Sequence, residues 1–285
     1  MTPVRVTALT AVALVAFAAN SLLTRGALAA GRLDPASFLA VRLASGAAVL
    51  WLLARTHHTR VSPDDPANHW TAALALTGYA VAFTFAYVRI GAGIGALTLF
   101  GAVQTTMIAA GVRGGERPSA FDMAGLAVAV AGLLTLTVPG ASRPPVTGVA
   151  LMAIAGCCWG IYSLKGRRSV DPLIGTAHNF ARATPIGLAV LAWQWHHVVI
   201  TPAGLILAAT SGGITSGLGY AVWYSVLPRL TAWRAALVQL LTPVLTTVAA
   251  VVMLGESMSW RFVFAGTLII GGVLLSLAAS SRSRA

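Results

Sequence analysis

Residues 232–275 read AWRAALVQLLTPVLTTVAAVVMLGESMSWRFVFAGTLIIGGVLL, two apolar runs on either side of a polar hinge, Leu254-Gly255-Glu256-Ser257. Each run is about 20 residues long, which is enough for a helix to cross a hydrocarbon core of roughly 30 Å. The stretch therefore predicts two membrane-spanning helices joined by a short turn.

The same pattern occurs 140 residues earlier in the chain. Gly115-Glu116 matches Gly255-Glu256, and Gly132 matches Gly272. Further matches at the same spacing are Arg89 with Arg229, Arg42 with Arg182, Gly26 with Gly166, and Arg25 with Lys165. A constant spacing over most of the chain indicates an internal duplication. We therefore divide the chain into two repeats, residues 1–140 and 141–285.

The composition is that of an integral membrane protein. The 285 residues include only 19 Lys and Arg and 7 Asp and Glu, whereas about a quarter of a soluble domain is charged. The net charge of +12 does not indicate nucleic-acid binding, because the basic residues stand singly between apolar runs. We predict ten spans in an all-α fold, at about 5–24, 35–54, 69–88, 91–112, 119–138, 147–164, 172–195, 203–225, 232–253 and 261–280.

Lys and Arg set the orientation of such a chain. Only five of the 19 fall in segments on the side opposite the N-terminus, namely Arg25, Arg32, Arg89, Arg143 and Arg261. Both termini are therefore expected to be cytoplasmic. The N-terminus looks like a signal peptide, with Arg5 before an apolar run and Ala16-Phe17-Ala18 as a cleavage-like site. Its removal would leave the first repeat one helix short, so we predict that it is retained.

Five helices per repeat is an odd number, so the second repeat is expected to be inverted relative to the first. Inverted repeats are typical of alternating-access transporters, whose substrate site lies near mid-membrane between the halves.

These features resemble the EamA family of the drug/metabolite transporter superfamily. The resemblance covers both halves and depends on Gly115-Glu116 with Gly125 and Gly132, and on Leu254-Gly255-Glu256 with Gly266 and Gly272. Pro243, Arg42 after Asp34-Pro35, and the segment from Trp223 to Leu230 also carry it. The sequence departs from the family in helix 4, where Val103-Gln104 replaces the expected proline. The resemblance implies a multi-pass protein of the bacterial inner membrane that exports amino acids or other small metabolites, with exporters of aromatic amino acids as a related group.

Two basic residues lie inside the spans. Arg182 is ten residues into helix 7 and about 15 Å deep at 1.5 Å per residue, with His178 one turn earlier on the same face. A guanidinium matches the geometry of a carboxylate, so this pair could hold a substrate carboxylate or could instead lock helix packing. Arg42 takes the equivalent place in the first repeat, which favours an architectural role.

Polar and aromatic side chains supply the other candidates for the substrate site. Tyr79 is too deep for an interfacial belt, and its hydroxyl needs a partner, so it is the first candidate for the cavity wall. Trp159 and Tyr220 are further aromatic candidates for the wall of the substrate cavity. Gln104, Gln239 and Asn20 could line the cavity or join helices by hydrogen bonds, and the sequence favours neither interpretation. Aromatic walls with a few polar groups suit neutral or aromatic amino acids.

Three further residues, besides Arg42, have expected structural or gating roles. Pro243 lies in the middle of the ninth predicted span and cannot donate a hydrogen bond to the carbonyl of Gln239, so a kink is expected in that span. Glu116 and Glu256 are expected to cap helix starts, where a negative charge suits the helix dipole. All seven acids fall at span ends or in loops. Because His178 is then the only titratable span residue that could carry a proton at neutral pH, we predict a facilitator or exchanger.

Other function classes were weighed against this one. A multidrug or nucleotide-linked metabolite carrier would have the same fold. A membrane-embedded transferase needs a His, Asp or Glu cluster near one membrane face, but His57-His58 and His196-His197 fall on opposite predicted faces. The expected partners are a small-molecule substrate and the lipid bilayer. No enzyme activity, cofactor, metal, nucleic acid or obligate protein partner is expected.

Overall fold

The computed structural model describes residues 1–28, 30–56, 70–90, 92–137, 145–254 and 260–282. Within these ranges the protein is all-helical, as predicted, and the only β-type pairing is an isolated antiparallel bridge between Leu33 and Ile200.

The helices follow the predicted spans closely. In the first half they are α1 (Pro3–Leu28), α2 (Pro35–Thr56), α3 (Trp70–Tyr87), α4 (Ala92–Arg113) and α5 (Ala120–Thr137). In the second half they are α6 (Val146–Gly166), α7 (Pro172–Trp193), α8 (Pro202–Thr210), α9 (Gly219–Val226), α10 (Ala232–Gln239), α11 (Leu241–Leu254) and α12 (Trp260–Arg282).

Several of these helices are long and apolar enough to cross a membrane. Five meet this condition within the described residues: Pro3–Leu28, Pro35–Arg55, Trp70–Tyr87, Val146–Gly166 and the continuous segment Pro202–Arg229. Shorter apolar stretches occupy Ala120–Gly132 of α5 and Val263–Leu275 of α12. The chain is therefore built as a multi-pass membrane protein, and the count of ten spans and the inverted repeat stay predictions.

Two of the predicted spans are not simple α-helices. Between α8 and α9 the chain forms a π-helical segment, Ser211–Leu218, which we call the π segment. The ninth predicted span breaks at Leu240 between α10 and α11. Pro243 explains the break, because it lacks the N–H that would bond to the Gln239 carbonyl. Interruptions of this kind are frequent at functional sites.

Glycines allow the closest helix contacts. α5 packs on α12, where a Cβ at Gly132 would lie 2.8 Å from the Ala265 carbonyl oxygen, and a Cβ at Gly272 would meet the Gly125 carbonyl oxygen. α2 packs on α7 and on the π segment in the same way. There a Cβ on Gly212 would collide with the Arg42 carbonyl oxygen.

Gly212→Ala should therefore destabilise the protein. Overpacking against a fixed backbone atom costs about 1–3 kcal/mol, and we expect a lower melting temperature of the detergent-solubilised protein. Gly101→Ala is the matched control, since no atom lies within 4 Å of a Cβ built there. Equal melting temperatures for the two variants would contradict the tight contact between α2 and the π segment.

Candidate functional site

A small cavity lies where helices of both halves meet. Its walls come from α1, α3, α4, α6, α9 and α11, and the lining residues are Phe17, Ser21, Tyr79, Phe83, Leu99, Phe100, Trp159, Tyr220 and Thr242. The cavity volume is about 30 Å³, which is room for one or two water molecules. Three of the predicted site residues, Tyr79, Trp159 and Tyr220, line it together.

Aromatic rings form most of this wall. The Trp159 ring lies 4.6 Å from the Tyr220 ring and 5.0 Å from the Tyr79 ring, measured between centroids. Phe17 meets Trp159 edge-on at 5.2 Å. Each pair is within the range in which aromatic contacts add to the stability of a core. Trp159 is thus the centre of the aromatic wall.

A buried guanidinium stands behind two of these rings. Arg42, 1% exposed, donates from Nη2 to the Tyr220 hydroxyl at 2.7 Å and to the Tyr79 hydroxyl at 3.5 Å. Its Nε donates to Ser216 Oγ at 3.0 Å, and the two tyrosine hydroxyls lie 3.3 Å apart. Nη1 is buried and has no hydrogen-bond partner among the described residues. Arg42 thereby joins α2 to α3, α9 and the π segment.

Asn20 of α1 connects to the same cluster. Its Oδ1 accepts hydrogen bonds from Ser211 at 2.6 Å, Ser216 at 3.3 Å and Thr215 at 3.4 Å, all on the π segment. Ser216 therefore links Asn20 to Arg42. The polar residues between α1, α2 and the π segment form one connected network.

The two predicted amides make contacts between helices. Gln239 accepts a hydrogen bond from Trp159 Nε1 at 2.6 Å, and its Nε2 lies 3.4 Å from Met107 Sδ on α4. Gln104 donates to the Ala236 carbonyl at 2.6 Å. Gln104 faces a separate apolar groove beside α4 and α5, whereas Gln239 orients the cavity tryptophan. Both therefore tie α4 to α10, and only Gln239 reaches the cavity wall.

His178 and Arg182 lie elsewhere. Both line an open groove between α2 and α7 with Trp51, Ala47, Ala48 and Ala181. The Arg182 guanidinium stacks on the ring of Trp70, 5.1 Å from its centroid. Trp70 is the first residue of α3, so the charge is drawn towards that helix end instead of staying at the depth of its backbone. The structure does not bring this pair to the aromatic cavity.

A pair of loops joins the two halves of the chain on the predicted outer side. We call residues 32–34 and 199–201 the outer clasp, following the predicted orientation. The Asp34 carboxylate accepts from Val199 N at 3.1 Å, and Asp34 N donates to the Val199 carbonyl at 3.0 Å. Thr201 N and Oγ1 both donate to the Arg32 carbonyl.

Glu116 joins the two halves on the predicted inner side, in what we call the inner clasp. Its carboxylate accepts from Ala232 N at 2.8 Å and Trp233 N at 3.2 Å, at the start of α10. It also pairs with Arg167 at 3.0 Å, and Arg167 donates to the Leu230 carbonyl. Glu116 thus caps a helix, but one in the other half of the chain. Glu256 lies outside the described residues, as do His57 and His58.

Several residues of the cavity and of the network around Arg42 were not recognised from the sequence. Phe17 and Phe100 are apolar residues in apolar spans, and nothing in the sequence separates them from lipid-facing neighbours. Ser216 had a signal in the run Ser-Gly-Gly-Ile-Thr-Ser-Gly at 211–217, which is unusually polar for the middle of a span.

Comparisons with known proteins agree with this architecture. Residues 146–278 match the EamA-like transporter family. An uncharacterized protein of Pseudomonas aeruginosa is 46% identical over 271 residues, which cover 95% of this chain and 93% of that protein. The threonine/homoserine exporter RhtA of Escherichia coli strain K12 is 28% identical over 230 residues, which cover 77% of this chain and 74% of the exporter. A solved crystal structure that is 20% identical superposes with a TM-score of 0.78 over 94% of this chain and 98% of that one, so the two share a fold.

Proposed function

The chain belongs to the EamA-like transporter family, whose members are transporters and not enzymes, and from that premise we propose that it exports neutral or aromatic amino acids. The proposal depends on one observation, the aromatic cavity lined by residues from both halves of the chain. In transporters with two repeats the substrate site lies at such an interface. The expected location is the bacterial inner membrane, with both termini in the cytoplasm.

The chemistry of the cavity supports this substrate class. Its polar groups are the hydroxyls of Ser21, Tyr79, Tyr220 and Thr242 and the indole N–H of Trp159, and no carboxylate is among the lining residues. A cationic substrate would have no counter-charge there, whereas an uncharged or aromatic side chain fits the ring surfaces. The relative from Escherichia coli is named for two neutral amino acids, threonine and homoserine.

The two clasps between the halves support alternating access. A cavity of about 30 Å³ is too small for an amino acid, so the halves have to separate to admit one. Each clasp joins the two predicted repeats through loop hydrogen bonds, and we propose that one clasp opens while the other stays closed, so that the cavity is exposed to one side at a time. With no acid in the cavity lining to carry a proton, the substrate's own gradient is the proposed driving force.

Efflux from proteoliposomes tests the proposal. Vesicles with the purified protein are loaded with labelled L-threonine, L-phenylalanine, L-lysine or L-glutamate, and release is followed with and without an imposed pH gradient. We expect release of threonine or phenylalanine well above protein-free vesicles, without a gradient. If no neutral amino acid is released, the substrate class is wrong. Accumulation against the substrate gradient on imposing a pH gradient would instead contradict the facilitator mechanism.

A further inference from the structure

Among the described residues, the cluster around Arg42 holds a positive charge without a negative partner. The guanidinium donates to the hydroxyls of Ser216, Tyr79 and Tyr220 and lies over the rings of Tyr79 and Phe83, 5.4 and 5.5 Å from their centroids. No carboxylate is among its partners in the described part of the chain. A buried charge is costly inside a membrane protein unless it is paired. Phenol oxygens and ring faces supply only part of that pairing, so the cluster is short of one anion.

The hydrogen bonds of the cluster are oriented towards the cavity. A guanidinium can only donate, so both tyrosine oxygens accept from Nη2. The Tyr220 hydroxyl donates in turn to the Tyr79 oxygen. Among the described residues Tyr79 Oη accepts hydrogen bonds and donates none, so its own proton is available. Because Tyr79 lines the cavity, that proton can be offered to a ligand there.

We propose that the Arg42–Tyr79–Tyr220 cluster binds the carboxylate of the transported amino acid. The inference rests on the proposed function and extends it to an anion subsite. Tyr79 donates its hydroxyl hydrogen to the carboxylate, and Arg42, which lies behind the cavity wall, supplies the opposite charge through the two phenols that it contacts. The α-ammonium lies over the faces of Trp159 and Phe17, where a cation is attracted by the ring quadrupole.

One guanidinium with neutral neighbours matches a single negative charge. A diphosphate carries more charge than this cluster balances, so a monocarboxylate fits better than a nucleotide-linked substrate. The subsite also assigns the carboxylate to Arg42, whereas the sequence had favoured its counterpart in the second repeat, Arg182.

Ligand-induced thermal stabilisation of the purified protein tests the subsite without requiring transport. The probes are L-phenylalanine, L-phenylalaninamide and 3-phenylpropionate, which differ in the carboxylate and the ammonium. We expect the two carboxylates to raise the melting temperature of the wild-type protein at concentrations at least tenfold lower than the amide. Tyr79→Phe should raise the concentration needed for both carboxylates about fivefold and leave the response to the amide unchanged.

Tyr224→Phe is the matched control. Its hydroxyl is also buried but donates to the Tyr162 carbonyl, away from the cavity lining. This variant should keep the preference for carboxylates over the amide. Arg42→Lys retains the positive charge but loses the planar guanidinium that bonds several acceptors at once, and it should weaken the response to carboxylates if the protein folds.

The outcomes separate the subsite from the proposed function. An amide that stabilises the wild-type protein as well as the acids overturns the subsite, as does an equal effect of Tyr79→Phe on acid and amide. The absence of any shift with the acids overturns it too. If the acids stabilise the protein in the expected way but no amino acid leaves the proteoliposomes, the subsite stands and the exported substrate is a different monocarboxylate.

Discussion

Trp159→Ala should lower amino-acid efflux from proteoliposomes about thirtyfold. The Trp159 ring contacts Phe17, Tyr79 and Tyr220 and is the centre of the cavity wall. Truncating a buried aromatic anchor of a binding site costs about 2 kcal/mol or more, and each 1.4 kcal/mol is roughly a factor of ten. The variant also leaves the Gln239 Oε1 atom without the indole donor.

Two further variants show whether the effect belongs to the cavity. Trp193→Ala removes a tryptophan that is 87% exposed at the end of α7, and it should leave efflux within about twofold of wild type. Trp159→Phe retains an aromatic ring but has no N–H, so its efflux rate should fall between those of Trp159→Ala and Trp193→Ala. If Trp159→Ala kept the wild-type rate while its protein remained folded, the aromatic cavity would not be the transport route.

Much of the architecture could be predicted because apolar length and charge are properties of sequence. Runs of about 20 apolar residues require helices in a membrane, and the helix bounds follow them within a few residues. Pro243 predicted a disruption, and the chain breaks at Leu240 for the reason given by its missing N–H. Tyr79 was too deep for an interfacial belt, and it does line the cavity.

The direction of each side chain could not be predicted. Arg42 and Arg182 occupy equivalent positions of the proposed duplication, so depth alone gave them the same environment. In the structure the Arg42 guanidinium is buried between side-chain hydroxyls and aromatic rings, whereas Arg182 stacks on Trp70 in an open groove. Nothing in an all-apolar helix says which face meets the other half. Glu116 illustrates the same limit, since its capping role was expected but its target in α10 depends on tertiary packing.

A sequence signal for the tyrosine pair did exist. Tyr79 and Tyr220 are 141 positions apart, one more than the spacing of the duplication, and their hydroxyls meet at 3.3 Å. The exact spacing pairs Tyr79 with Gly219, so only a comparison that allowed an offset of one residue would have indicated the pair.

Asn20→Asp should lower efflux at least tenfold without lowering the melting temperature. A carboxylate at this position can accept the same hydrogen bonds from Ser211, Thr215 and Ser216. Ser216 also accepts from Arg42 at 3.0 Å, so the new charge would stand one hydroxyl away from the guanidinium. It would supply the anion that we assign to the substrate, and a second carboxylate brought to the cluster would be repelled by several kcal/mol.

Asn20→Ala distinguishes added charge from lost hydrogen bonds. It leaves the buried hydroxyls of Ser211 and Ser216 without their acceptor, whereas Thr215 still donates to the Ser211 carbonyl at 3.0 Å. Each group that stays unpaired costs about 1–3 kcal/mol, so the melting temperature of Asn20→Ala should fall below that of Asn20→Asp. Its efflux should nevertheless exceed that of Asn20→Asp, because Arg42 would still lack a resident anion. Wild-type efflux by a folded Asn20→Asp protein would mean that Arg42 does not set the charge of the substrate. A low efflux rate of Asn20→Asp with an unchanged melting temperature, by contrast, is expected only if the Arg42 guanidinium normally pairs with the carboxylate of the substrate.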